Sequence, residues 1–554
     1  MSAPAASARS GTTAWHLLLL FVVSAGWEWL FLHAGINKLD EGWTLYAAKR
    51  LHEGATLYRD VLFVFPPGHL LPAWIAYALD PPGVVAARFL YAAFNVSACL
   101  GIYLLGRKVM PAHFALFGAL LLAVAAPRSH LSHLLFGYRY VIFSILALLA
   151  FSRRLDGGGV RWMFVAGLWA GVSVVFRLTP AAAVSGAIGV ALLLASPEPR
   201  TRLRDGALYA AGLLAVAAPV TFWLAHGVGF ETLWREILVR AILMTEQQSL
   251  PMPDLALLPG WDRWKIRRWF VALQFRLWAV LYLGYALALG AHAVRALRRR
   301  EASPRALLVA VAVWGGIYFF RTLGRSDEPH LDSALPPVCL LLAHLFYTAA
   351  RRFGARVKGD GAAAPATPDG SWSRTLAGVA CALFAVWIFV TASDRFLPQK
   401  QRGHIPLQSL AGEVELPRSA IAQGIDWSIH SILRWSRPGD AILDLTASPL
   451  FHVIANRNGP GVSDPLIPGS FITDEEEIRY VEALQRTPPA LVLRPDLPFD
   501  RDPERAIERI APRVAAWVDE HYRARDTRAG FVLMLPNAVV EPPAPAPGQS
   551  RGAR

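Results

Sequence analysis

The sequence predicts an α-helical polytopic membrane protein of about eleven transmembrane helices, followed by a carboxyl-terminal extracytoplasmic α/β domain. Three observations carry this. Hydrophobic residues make up 54% of the 554 residues and charged residues only 17%, where a soluble protein carries roughly a quarter. Many apolar runs reach or approach the roughly 20 residues that a helix needs to cross a bilayer. After Thr391 charge rises and the apolar runs shorten to strand length.

The expected spans are Trp15 to Gly35, Val84 to Gly106, Ala112 to Ala126, Tyr138 to Ser152, Trp162 to Arg177 and Ala181 to Ala195. Gly206 to Ala225, Phe270 to Val294, Ala306 to Phe320, Leu335 to Ala350 and Leu376 to Thr391 complete the set. Residues 1–14 read as a disordered tail, 15–392 as the membrane domain and 393–541 as the outer domain. Residues 542–554 read as a second disordered tail. The first apolar run lacks a small-residue cleavage site and reads as an anchor. Gly354 to Ser373 reads by composition as a flexible linker.

Orientation follows the Lys and Arg of the short loops. Arg107-Lys108, Arg153-Arg154-Arg161, Arg200-Arg202-Arg204, Arg295 to Arg305 and Arg351 to Arg374 fall on one side. This places the amino terminus in the cytoplasm and the carboxyl-terminal domain outside. Much of the net charge of +14 is therefore topological, and no nucleic-acid partner is expected. Cys99, Cys339 and Cys381 fall inside apolar spans, without a disulfide or zinc spacing.

In the outer domain, Ala441 to Leu445 follows an R-P-G-D turn and reads as a buried strand. Thr473 with Glu476 three residues on forms a capping-box pattern for a helix from Asp474 to Gln485. Ala490 to Leu493 and Phe531 to Leu535 read as strands, with a helix from Pro503 to His521 between them. The alternation predicts a small α/β domain.

The most unusual stretch is the first outer loop, residues 36–83. Asp40 and Glu41 stand side by side where a membrane helix surfaces, and such carboxylates mark a functional site. Trp43 to His52 and Gly68 to Leu79 read as short helices lying along the membrane surface. Gly54 ends the first. Pro66-Pro67 opens the second. From the residues alone, Asp40 reads as an N-cap of the first short helix.

An apolar helix, then D-E, L-Y-A-A-x-R-L-x-x-G, L-Y-R-D and P-P-G resembles the first outer loop of C-superfamily membrane glycosyltransferases. The similarity is greatest to bacterial relatives of the protein O-mannosyltransferases and to the aminoarabinose transferases. It is specific in residues 39–74 and architectural elsewhere. It implies transfer of one hexose or pentose from a polyprenyl-phosphate donor, at the outer face of the bacterial cytoplasmic membrane. The acceptor implied is a lipid, a polysaccharide or a protein. By resemblance, Asp40 is the general base or orients the acceptor, and Glu41 assists or binds a divalent metal. Several relatives carry Lys before the Pro-Pro; here Phe65 stands in that place.

Asp60 and Tyr58, in L-Y-R-D, are candidate substrate contacts, against loop bracing and packing. A lipid phosphate needs cations. Arg177, beside Pro180 at a span end, and Arg139, in G-Y-R-Y, are candidates, against snorkelling to headgroups. The loop Arg321 to Pro337 gathers Arg321, Arg325, Asp327, Glu328, His330 and Asp332. Its R-x-D-x-x-H resembles the same relatives, and implies that Arg325 and His330 contact phosphate or sugar. His130 and His133, three apart, are a weak metal signal. Two further classes stay open: a transporter or flippase of a lipid-linked substrate, and a non-catalytic envelope assembly protein.

Overall fold

A computed structural model describes residues 4–125, 140–255, 263–357, 404–407 and 414–538. Ten of the eleven expected spans fall in these residues in whole or in large part, and each coincides with a helix. The eleventh, Leu376 to Thr391, lies outside them, as do Arg139, His130, His133 and most of the linker. Among the described residues, five helices are long and apolar enough to cross a membrane. Three more apolar helices are shorter.

Helix α1 (Pro4–Phe31) leads into α2 (Asp40–His52), a 3₁₀ turn (Pro67–Leu70) and α3 (Leu71–Leu79). Then come α4 (Val84–Gly106), α5 (Ala112–Ala125), α6 (Val141–Leu155), α7 (Arg161–Phe176), α8 (Leu178–Ala195) and α9 (Pro199–Val228). A short α10 (Phe230–Trp234), a π segment (Arg235–Val239) and α11 (Arg240–Gln247) follow. Beyond them lie α12 (Arg263–Arg299), α13 (Ala306–Thr322), α14 (Glu328–Asp332) and α15 (Leu335–Val357). The Trp- and Arg-rich start of α12, from Arg263, is continuous with the rest of this 37-residue helix.

Helix packing uses small residues, as it does where lipid offers no hydrophobic drive between helices. A Cβ on Gly167 of α7 would lie 2.0 Å from the Tyr209 carbonyl oxygen, and one on Gly212 of α9 2.1 Å from that of Phe164. The two backbones therefore touch. Large apolar side chains such as Phe21, Phe222, Trp223, Val280, Leu287 and Phe320 point outward and are exposed. A band of this kind suits hydrocarbon, not water.

Helix α2 departs from expectation. It does not lie on a membrane surface: every residue from Glu41 to Lys49 is buried. Its cover is the carboxyl-terminal region. Leu450 N–H donates to the Lys38 carbonyl (3.2 Å), Leu62 N–H to that of Val462 (3.1 Å), and Gly35 N–H to that of Glu415 (2.9 Å).

That region holds a two-stranded ribbon, β1 (His404–Pro406) with β2 (Glu415–Pro417), and a four-stranded sheet. The sheet contains β3 (Leu443–Asp444), β4 (Val492–Pro495), β5 (Tyr522–Arg528) and β6 (Phe531–Pro536), ordered β3-β4-β6-β5. β3 and β4 run parallel, and the other pairs antiparallel. Helices α16 (Ala420–Trp435), α17 (Leu450–Ile454), α18 (Asp474–Arg486), α19 (Ile507–Ile510) and α20 (Pro512–His521) accompany the strands. Strand β5, YRARDTR, has one buried residue and so gives no apolar alternation to read. The helix expected from Pro503 to His521 is broken. Ala511 takes φ −149° and ψ 65° before Pro512, in keeping with the bias of a residue preceding proline away from helical geometry. The capping box is not formed as expected either. The Thr473 side chain makes no cap bond, and Glu476 accepts from Ile472 N–H (2.8 Å) and from Arg240 (3.0 Å).

Candidate functional site

Asn37 starts the site. Its Oδ1 accepts from the N–H groups of Leu39 (3.2 Å) and Asp40 (2.9 Å). This satisfies donors that a helix start otherwise leaves orphaned. The capping work expected of Asp40 is therefore done by Asn37. The Asp40 carboxylate accepts from Asn37 Nδ2 at 2.9 Å, and lines an open cavity of about 840 Å³.

Glu41 points the other way. It is 6% exposed, and both its oxygens are held by Arg88 of α4, through Nε at 2.6 Å and Nη2 at 2.8 Å. Arg88 spends its other donors on the carbonyls of Leu32 (2.9 Å) and Gly35 (2.8 Å). The pair thus ties α1, α2 and α4 together. It does not line the cavity.

Lys38, Arg177, Arg321 and Arg325 bring positive charge to the same cavity. Arg177 sits in extended backbone (φ −164°, ψ 130°) between α7 and α8. Its guanidinium lies 5.0 Å from the centre of the Phe65 ring, within cation–π reach. Phe65 stacks on His69 at 4.6 Å and leans on Trp43 at 6.1 Å. Phe65 thus braces an arginine in the place where several relatives carry a lysine.

Arg321, at the end of α13, faces the same cavity. Its side chain makes no hydrogen bond or ion pair among the described residues. Arg325 is engaged by Asp327 (2.9 Å) and by both oxygens of Asp500 (3.0 and 3.1 Å). His330 Nδ1 lies 2.6 Å from Asp327 Oδ1. Burial pushes His330 below its ordinary value, although the Asp327 contact opposes that. Burial works to raise Asp327, but the bond and charge of His330, with Arg325, leave it below the usual carboxylate range.

The structure brings together Asp40, Arg177, Arg325 and His330, which lie far apart in the chain. It does not bring Glu41, Tyr58 or Asp60 to them. Tyr58 is buried and donates to the Phe65 carbonyl at 2.7 Å, fixing the turn that presents Phe65. Asp60 accepts from Thr56 N–H (2.8 Å) and pairs with the exposed Arg59 (3.0 Å); it braces its own loop. Arg139 lies outside the described residues.

Arg321, Phe499 and Asp500 are among the lining residues not singled out from sequence. Arg321 stood in the unusual loop, and its position at the end of an apolar run was the available signal. Phe499 and Asp500 come from the carboxyl-terminal region. Asp500 adopts φ 54° in a short turn; nothing in D-R-D-P marks it from sequence as a neighbour of Arg325.

Among the described residues, no group of three or more His, Cys, Asp or Glu side chains is placed to hold a metal ion. Glu41, which the resemblance offered as an assistant or a metal ligand, is committed to Arg88. The described residues do not make a metal-ligand set, and no chemical step is assigned to a metal.

Comparison with known proteins agrees with this architecture. Residues 65–224 match the dolichyl-phosphate-mannose-protein mannosyltransferase family. The fold is similar to that of ArnT from Cupriavidus metallidurans, solved with undecaprenyl phosphate bound. The TM-score is 0.57 at 15% identity, over 98% of this chain and 100% of that one. The apo state of the same protein gives 0.56 at 15% identity, over 95% and 98%. Among curated proteins none matches. The chain has the fold of ArnT, and over residues 65–224 it resembles the dolichyl-phosphate-mannose-protein mannosyltransferases.

Proposed function

We propose that this protein transfers a single sugar from a polyprenyl-phosphate donor to a lipid, polysaccharide or protein acceptor. The transfer takes place at the outer face of the cytoplasmic membrane. One observation carries the reading: a single cavity at the ends of apolar helices is lined by a carboxylate, Asp40, and by the arginines Arg177 and Arg321. The fold likeness and the family match over residues 65–224 support it.

The chemistry needs this division. The acceptor hydroxyl gives its proton to Asp40 as its oxygen bonds the anomeric carbon. The bond from that carbon to the phosphate oxygen breaks, and the electron pair leaves with the prenyl phosphate. Charge develops on that phosphate, where Arg177 and Arg321 stabilise it as it departs. Arg325 does not share this work, because Asp327 and Asp500 already neutralise it. Its role is to seat the Phe499–Asp500 turn over the cavity. Glu41 acts on the reaction through position: held by Arg88, it fixes the first turn of α2 and hence Asp40.

The test is a transfer assay with purified protein, labelled polyprenyl-phosphate sugars and crude envelope acceptors. Label is expected to move to an acceptor with the unmodified protein and not with Asp40→Asn. Intact donors throughout, with folded protein, would reject the transferase reading and favour transport or assembly.

A further inference from the structure

The helices that build the candidate site have second ends, and these enclose a different cavity. Helix α4 starts beside Arg88 and Glu41 and runs 23 residues, roughly 34 Å at the rise of an α-helix. Helix α6 starts at Val141, next to Tyr140, whose hydroxyl donates to the His69 carbonyl at 2.9 Å. Helix α7 ends at Phe176, next to Arg177. At the far ends of all three lies an open groove of about 470 Å³. It is thus about one bilayer thickness from Asp40.

The groove is amphiphilic in one direction. Leu149, Trp162 and Trp169 are among the apolar side chains of its floor and wall, while Arg107, Lys108 and Arg153 stand among its polar members. One cation of the three is neutralised: Lys108 pairs with Asp156 at 2.6 Å. Arg107 donates to the Thr13 hydroxyl and lies 6.0 Å from the Tyr103 ring centre, contacts that leave its charge intact. The exposed Arg153 side chain has no hydrogen bond or ion pair among the described residues. Topology alone asks only that basic residues be on the loops of this side. It does not ask that cations from two different loops converge on one apolar cleft.

We infer that this groove binds an anionic phospholipid of the leaflet opposite the candidate active site. The phosphate headgroup sits at Arg107 and Arg153 and the upper acyl chain lies against Leu149, Trp162 and Trp169. Basic pockets between membrane helices recognise anionic headgroups through such charge complementarity, and the volume is that of a small-ligand site. The apolar floor at membrane depth selects a lipid over a free phosphate ion. The site is independent of the proposed transfer reaction, since none of its residues lines the Asp40 cavity.

The full-length protein, delipidated in detergent, is titrated with phosphatidylglycerol or phosphatidylcholine, and bound lipids are counted by native mass spectrometry. Phosphatidylglycerol is expected to bind at least about fivefold more tightly. That preference is expected to disappear in Arg107→Ala/Arg153→Ala and to fall in Arg153→Gln, whose exposed side chain braces nothing. It is expected to persist in Arg298→Ala/Arg299→Ala, which removes the same charge from the exposed end of α12. Equal loss in both double variants would show general charge attraction and overturn the site. Equal binding of the two lipids, or displacement of phosphatidylglycerol by inorganic phosphate alone, would overturn it too.

Discussion

Arg88 grips both oxygens of Glu41, at 2.6 and 2.8 Å, in a pair of which neither member is more than 6% exposed. This contact sets the geometry of the candidate site without entering it. Removing one partner from a buried pair strands the other charge and costs about 3–5 kcal/mol. Arg88→Ala is therefore expected to lower the melting temperature sharply and abolish transfer. Glu41→Gln keeps the shape and leaves Arg88 uncompensated, and is expected to lower both stability and kcat. A fully stable Arg88→Ala protein would show that the pair does not hold α2.

Asp40 is expected to behave in the opposite way. Asp40→Asn keeps an oxygen for Asn37 Nδ2 and leaves the helix cap, which Asn37 supplies. The melting temperature is expected to stay within the small range of half-exposed substitutions, about 0.5 kcal/mol. Transfer is expected to fall at least about 100-fold, the usual contribution of a general base. A full-rate variant would remove Asp40 from the chemistry.

Arg321 tests the phosphate side. It faces the cavity without an ion pair among the described residues. An unpaired charge at this depth costs stability, so Arg321→Ala is expected to melt no lower than the parent and to melt higher if anything. Donor turnover is expected to fall about 10- to 100-fold, the value of a charge-assisted hydrogen bond. Arg321→Lys is expected to recover part of it. Unchanged donor kinetics in Arg321→Ala would place the phosphate elsewhere.

Gly42 tests the seam between α2 and the carboxyl-terminal region. A Cβ there would lie 2.3 Å from Leu450 N and 2.7 Å from Leu450 Cβ. Gly42→Ala is expected to cost about 1–3 kcal/mol by overpacking. It is also expected to speed proteolysis of the carboxyl-terminal region. Proteolysis at the parental rate would mean that the seam yields without separating.

Asp464 gives a pH signature. It lies under the other end of α2 and accepts from the Tyr480 hydroxyl at 3.1 Å. Burial first, then the Asp444 charge, raises it from 3.8 to about 7, against the opposing pull of Tyr480 and Arg50. The folded protein therefore keeps this proton between those two values while the unfolded chain gives it up. Its contribution to stability is full below the unfolded value, is lost as pH rises toward about 7, and is constant above. In Asp464→Asn the slope vanishes. The melting temperature of the variant minus that of the parent is expected to grow from about pH 4 to about pH 7 and then level off. A difference that does not change with pH would show that Asp464 titrates normally.

Span positions were legible because apolar runs of helical length report on lipid directly. Val84 to Gly106 was bounded to the residue. The strand around Leu443 was legible from the turn before it, and the helix at Asp474 from its T-x-x-E start, although the capping box itself does not form. β5 was not, because an edge strand exposed on both faces carries no apolar alternation. The buried setting of α2 was not legible either, since its cover comes from some 400 residues later in the chain.

By itself the sequence determined the class, the run of helices and the loop that carries Asp40, since these depend on local composition and short-range pattern. It also brought forward Arg177, Arg325 and His330. Only the tertiary structure separated the two adjacent acids. One peptide bond apart at the start of a helix, their side chains leave in different directions. Asp40 reaches the cavity and Glu41 reaches Arg88. Whether a carboxylate faces a cavity or is held by a buried guanidinium depends on what is folded against it, and neighbours distant in sequence leave no local trace.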